Sequence, residues 1–295
     1  MEDDIKKRLI PLDKSWVIRM GVLDLVNGND ETEKFLNKHK EELSDDLIAL
    51  LRAMKQWKSE EKIEVGESGT LYRFLKFASW KLNKNKEFIL SGTLKDRKIC
   101  DNSEIINWTL DKLLTLDNGT SQWASAALLL GNKDELDDAP YKLIITLEAI
   151  DDWNYRRKNK IELEYRYDET IYQQAISYVN WLKTGEMNFK PEQSEDYCFA
   201  RAFGIMSKEE GEKKWPSLRG HESDRIEEME KALLQEEVDS RDHRVVQAIA
   251  MLKKGKVKFK HPEAVKKSWP EFWKFLEYAN QKTNSFLDAQ DSLES

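Results

Sequence analysis

The sequence predicts a layered α/β protein, and three features carry that reading. Short strand-like runs alternate with longer segments of helical periodicity along the whole chain. The 295 residues suffice for one large domain or two ordinary ones, and a 40% hydrophobic fraction that includes 10 Trp can fill their cores. Finally, short polar motifs, all but one with a cation or a carboxylate, fall in series where helices are expected to begin.

The periodicity predicts a first helix from Asp13 to Asn27, with Asp13 as N-cap and Gly28 as the stop. A second runs from Ser44 to Trp57, with Leu47, Ile48, Leu50, Leu51 and Met54 on one face. Lys62 to Val65 reads as a strand, Ser68 to Leu82 as a helix, and Glu87 to Leu90 as a strand. Helices follow near 103–116, 120–130 and 139–153, and Ile161 to Tyr167 alternates like a strand. Further helices are expected near 168–184, 194–208, 222–236 and 242–254, then a strand at Lys256–Phe259 and an aromatic helix at Trp269–Tyr278. The charged stretch Asp151–Lys160 marks the expected passage between lobes, and the polar tail from Lys282 is expected to fray.

A charged fraction of 35% and a net charge of −7 disfavour nucleic acid or an acidic membrane as partner, because neither is attracted by an acidic field. The basic residues that matter must act locally. Cys100 and Cys198 have no metal-ligand spacing and read as idle thiols. The segment MEDDIKKRLIPL has no apolar core of a signal peptide, and no run approaches the roughly 18 apolar residues of a membrane span. The expectation is a cytoplasmic protein.

Several motifs admit two readings each. Gly69 and Thr70 follow a strand and open a helix, which makes either a plain cap or an anion site, with Arg73 one turn on. Thr120, Ser121 and Gln122 repeat the design after the turn Asn118-Gly119. Lys14 and Arg19 oppose the macrodipole at one helix N-terminus, which is unfavourable unless an anion lies between them. Arg97 sits in a basic cluster after the strand ending at Leu90. Glu222, Asp224 and Arg225, and then Asp242, His243 and Arg244, crowd two further helix starts, where acidic residues are also ordinary stabilisers.

Taken in order, these motifs resemble those of the enolpyruvyl transferase family, in its shikimate branch. The family's K-S-x-x-x-R is similar to Lys14, Ser15 and Arg19, its S-D-D to Ser44-Asp45-Asp46, and its A-G-T-x-x-R to Ser68-Gly69-Thr70 with Arg73. The arginine of its R-P-I segment resembles Arg97, and S-S-Q resembles Thr120-Ser121-Gln122. K-E-S-D-R is similar to His221-Glu222-Ser223-Asp224-Arg225, D-H-R to Asp242-His243-Arg244, and the late K-T-F-P to Lys267-Ser268-Trp269-Pro270. The resemblance spans nearly the whole chain. It departs from the family in length, with material absent between Arg97 and Gln122 and between Tyr141 and Asp196, and in His221, which stands where the family has lysine.

The resemblance implies a two-lobed inside-out α/β barrel of βαβαββ repeats, shortened here, with one lobe at 13–155 and the other formed by 1–12 plus 156–295. It implies transfer of the enolpyruvyl group of phosphoenolpyruvate to the 5-hydroxyl of shikimate 3-phosphate, with release of phosphate and no metal or organic cofactor. Asp196, with Glu192 as the alternative, would be the base, Glu222 would serve the proton transfers, and Lys14 would join the catalytic set. Arg97, Arg225, Arg244, Lys267 and Gly69 would hold phosphoenolpyruvate. Lys14, Ser15, Arg19, Thr120, Ser121 and Gln122 would hold the phosphorylated acceptor. The expected partners are these small anions alone, on a monomer. Another anionic acceptor, or a non-catalytic ligand-binding homologue, are the alternative readings.

Overall fold

The computed structural model describes residues 9–131, 141–219 and 224–291 of the chain, with backbone alone at 141–142 and 282–291. The protein is mixed α/β and mostly helical, with few and short strands. It divides into two compact units. One is Leu12–Arg166; the other joins the residues before Leu12 to the chain from Tyr167 onward.

In the Leu12–Arg166 unit, helix α1 (Lys14–Val26) begins where the Asp13 carboxylate accepts the Trp16 N–H at 3.0 Å. It ends before Gly28, whose φ of 71° suits a residue without a Cβ. Every residue from Trp16 to Leu25 is buried, so α1 is enclosed on all sides. Helix α2 (Glu31–Lys38) follows, then α3 (Asp45–Ser59). Strand β1 (Lys62–Gly66), helix α4 (Gly69–Lys81) and strand β2 (Glu87–Leu90) make a β-α-β unit. The two strands pair in parallel, which two adjacent strands manage only through a crossover such as α4. A short 3₁₀ turn (Gly92–Asp96) leads on to α5 (Leu110–Leu113), α6 (Gln122–Leu129) and α7 (Tyr141–Asn159). Helices α3, α4, α6 and α7 all pack on α1. The Asp13 N–H donates to the Arg166 carbonyl at 2.9 Å, joining the two ends of the unit.

The second unit repeats part of this order. Helix α8 (Glu169–Thr184) is capped by Asp168, whose carboxylate accepts the Ile171 N–H. After α9 (Tyr197–Ala202), α10 (Lys208–Lys214) and α11 (Arg225–Leu234) come strand β3 (Glu237–Val238), helix α12 (His243–Leu252) and strand β4 (Lys258–Phe259). Strands β3 and β4 again pair in parallel across a helix, and a 3₁₀ turn (Pro262–Lys267) again follows. Helix α13 (Phe272–Asp291) closes the chain, its Phe272 and Phe275 packed beside Trp269 in an aromatic core.

Several expectations need correction. Residues 161–166 form no strand; the Arg156 guanidinium takes the Glu162 carbonyl that a ladder would need. Residues 103–116 hold a 3₁₀ turn and the one-turn α5 rather than one helix, and 194–208 is similarly divided. Helix α13 runs beyond the expected end at Tyr278, to Asp291. The stretch Asp151–Lys160 belongs to the end of α7, and the units part between Arg166 and Tyr167. Among the described residues there are two two-stranded sheets and no closed barrel.

The first cap is the simplest test of this account. Asp13→Ala removes the acceptor for Trp16 N–H and is expected to cost about 1 kcal/mol in urea denaturation, whereas Asp13→Asn keeps most of it. Equal losses for the two variants would count against the capping role.

Candidate functional site

The best-defined polar constellation lies at the N-terminus of α4. Burial leaves Arg73 only 2% exposed, so its charge needs partners inside the protein. Its Nε donates to Asp117 Oδ2 at 2.7 Å, and its Nη1 donates to Gln122 Oε1 at 2.7 Å and to the Gly69 carbonyl at 3.3 Å. Gln122 in turn donates from Nε2 to Thr70 Oγ1 at 2.7 Å, closing a loop between α4 and α6. Asp117 also accepts the Trp123 indole N–H at 2.9 Å and the Cys100 N–H at 2.9 Å. Its backbone sits at φ 46°, a left-handed conformation that Asp tolerates better than most residues.

Arg97 joins this cluster from the other side. Its Nη2 donates to Thr93 Oγ1 at 3.1 Å. A Cβ added at Gly69 would stand 3.0 Å from Nη1 of Arg97 and 3.0 Å from Nη1 of Arg73. Glycine therefore lets two guanidinium groups close on the first turn of a 13-residue helix, where free backbone N–H groups already favour an anion. The Ser68 hydroxyl at the N-cap is buried and makes no hydrogen bond. Thr120 is buried with its hydroxyl accepting the Gln122 N–H at 3.3 Å, and Ser121 is the half-buried N-cap of α6.

The second predicted group, at the N-terminus of α1, is arranged differently from the expectation. Lys14 Nζ lies 2.9 Å from Asp46 Oδ2, so this chain supplies a carboxylate where a bound anion was expected. Arg19 turns inward: Nε donates to Thr146 Oγ1 at 2.8 Å and Nη1 to the Ser15 carbonyl at 2.8 Å, with its guanidinium over the Phe74 ring at 5.4 Å. Thr146 passes the chain on to Ser125 at 2.9 Å, tying α7 to α6. Ser15 stays half-buried beside them. Burial pushes the Asp13 carboxyl up, against the pull of the Trp16 N–H and the nearby Arg166 and Arg19 charges.

In the other unit, Arg225 and Arg244 meet around the N-cap of α12. Arg225 Nε donates to Asp242 Oδ2 at 2.8 Å, and Asp242 Oδ1 accepts the Arg244 N–H at 2.9 Å. Arg244 Nη1 lies 2.9 Å from His243 Nε2. A guanidinium has only donors, so this assigns Nε2 as acceptor and His243 as the neutral Nδ1–H tautomer. Arg244 Nη2 also donates to Glu195 Oε1 at 3.4 Å. Burial alone would raise the Glu195 carboxyl, but Arg244 and Arg225 hold it below its ordinary value. Lys267 ends the 3₁₀ turn that packs against α12 and is half-buried.

Asp196 does not face these arginines. Its carboxylate accepts Gln174 Nε2 at 2.8 Å, the Glu192 N–H at 2.9 Å and the Gln193 N–H at 3.0 Å, as the reciprocal cap of the turn Ser194–Asp196. Burial raises its carboxyl in spite of those bonds. Glu192 is exposed. In Ser194-Glu195-Asp196 it is Glu195, not the motif residue Asp196, that lies against Arg244. Asp117 was missed, because its turn is legible in sequence but its partner 44 residues away is not. Glu222 and His221 lie outside the described residues.

The Arg73–Asp117 pair sets the cost of disturbing this site. Asp117→Ala strands a buried guanidinium and two N–H groups, and is expected to destabilise the protein by about 3–5 kcal/mol in denaturant titration. A loss below about 1 kcal/mol would show that the pair is solvated rather than buried. No family model, curated protein or solved structure matches this chain.

Proposed function

We propose that the protein is an enolpyruvyl transferase that joins phosphoenolpyruvate to the 5-hydroxyl of shikimate 3-phosphate and releases phosphate. The observation that carries the proposal is the N-terminus of α4, where Gly69 leaves room for the guanidinium groups of Arg73 and Arg97 beside free helix N–H groups. Such a cradle suits a carboxylate or phosphate, and arginine binds either in bidentate fashion. The repeated β-α-β-3₁₀ order, with a fully enclosed α1, supports the finer fold reading of two shortened lobes with helices inside and strands outside.

Under this reading, Gly69 and Arg97 hold phosphoenolpyruvate, while Lys14, Ser15, Thr120, Ser121 and Gln122 serve the acceptor; the resemblance alone adds Arg225, Arg244 and Lys267 to the phosphoenolpyruvate set. Arg19 supports the acceptor side by fixing the first turn of α1 through the Ser15 carbonyl. The acceptor hydroxyl gives up its proton as its oxygen bonds to C2 of phosphoenolpyruvate. C3 gains a proton, and the tetrahedral adduct then loses phosphate and a C3 proton to restore the enol ether. Glu222 serves these transfers at carbon, and the resemblance assigns the hydroxyl proton to Asp196, with Glu192 as the alternative. Cytoplasmic location and a monomeric state belong to the same proposal.

A second reading, a homologue that binds such anions without turnover, is favoured by the internal commitments of Asp196 and Arg19. Phosphate release from phosphoenolpyruvate with shikimate 3-phosphate separates the two. Turnover that disappears in Glu222→Ala is the expected result. Binding of phosphoenolpyruvate without any release would leave the non-catalytic reading, or another acceptor, in its place.

A further inference from the structure

The far end of α1 carries a cavity that none of the motif residues uses. Asp24 lies about 15 Å along the helix axis from Lys14, at about 1.5 Å per residue. Beside it opens a cavity of about 280 Å³, near the lower limit of the roughly 300–1,000 Å³ typical of small-molecule sites. Trp153, Met20, Ile161 and Leu163 give it apolar walls. The Asp24 carboxylate at its floor is fully used within the protein. It accepts the Thr32 N–H and hydroxyl, each at 2.7 Å, and the Trp153 indole N–H at 2.8 Å, which fixes that ring.

An apolar wall and two cations are left for a ligand; Asn29 borders the cavity, but its unpartnered side-chain Nδ2 is closed to solvent, cavity included. Arg157 and Lys160 are exposed at the same cavity, and neither has a carboxylate partner among the described residues. Arg157 lies over the Trp153 ring, 4.6 Å from its centroid. Arg156, by contrast, is committed to Asp152 and the Glu162 carbonyl, and Glu31 is held by Lys34.

We propose that this cavity binds a small carboxylate with an aromatic or branched apolar body. The body packs on Trp153 and Leu163, and the carboxylate lies between Arg157 and Lys160. The proposal stands independently of the enolpyruvyl reading, since it shares no residue with that site.

The test titrates the full chain with 3-phenylpropionate and with phenylalanine, following the indole N–H resonances of ¹⁵N-labelled tryptophan. A saturable shift of the Trp153 signal, assigned with Trp153→Phe, is expected with a dissociation constant below about 1 mM. The doubly reversed variant Arg157→Glu/Lys160→Glu, altered only at exposed positions, is expected to bind about tenfold or more weakly. Tighter binding of phenylalanine would identify an amino acid as the ligand, with Glu162 facing its ammonium; tighter binding of 3-phenylpropionate would identify a simple acid. The proposal fails if neither probe shifts the signal at about 10 mM, if charge reversal leaves binding unchanged, or if benzyl alcohol binds as well.

Discussion

A buried guanidinium beside a helix N-terminus carries two penalties at once: it loses its hydration, and it faces the positive end of the helix dipole. Arg73 accepts both because Asp117 lies 2.7 Å from its Nε and Gln122 and Gly69 supply further oxygens. Much of the Leu12–Arg166 unit is arranged to make those oxygens available. The turn at 116–119 must hold Asp117 at positive φ, α6 must begin where Gln122 reaches α4, and Trp123 must present its indole N–H to the same carboxylate. The ion pair is thereby a framework contact, and Arg97 is the cation left nearer the surface at the same helix end.

The other unit meets the same constraint with different residues. Arg225 lies 7% exposed against Asp242, which also caps α12. A single carboxylate thus neutralises a buried cation and accepts an otherwise orphaned helix N–H. Each unit has a parallel β-α-β crossover followed by a 3₁₀ turn, with one partner of its buried ion pair at the crossover helix, Arg73 in one and Asp242 in the other, and a further basic residue at or beside the end of that turn, Arg97 and Lys267. The motifs at Asp13, Asp224 and Asp242 mark the starts of helices whose first turns are capped by a carboxylate.

Much of the fold is legible in the chain because its signals are local. Asp13 and Gly28 bound α1, and Ser68-Gly69-Thr70 opens α4, through effects that act within a turn. Helix α2 escapes notice because its eight residues carry mostly charge, although Thr32, Phe35 and Leu36 form a buried stripe. The alternation at 161–167 misleads because period two reports which side chains face inward, whereas a strand also needs a neighbour to take its hydrogen bonds. The site is less legible. Lys14 and Arg19 carry the right residue types at the right spacing, yet what balances them, Asp46 and Thr146, lies far away in sequence. Asp196 and Glu195 are adjacent, and only packing decides which turns toward Arg244.

The proposed function requires the first turn of α4, with Arg97 beside Gly69, to receive an anion. Calorimetric titration of phosphoenolpyruvate into the protein and into Arg97→Ala tests it most directly, because Arg97 is half-buried and lies outside the Arg73–Asp117 framework. Saturable binding to the parent chain is expected, with a loss of about tenfold or more in the variant and the denaturation midpoint little changed. Equal affinity in the two proteins, or no binding to either, would contradict the proposed function.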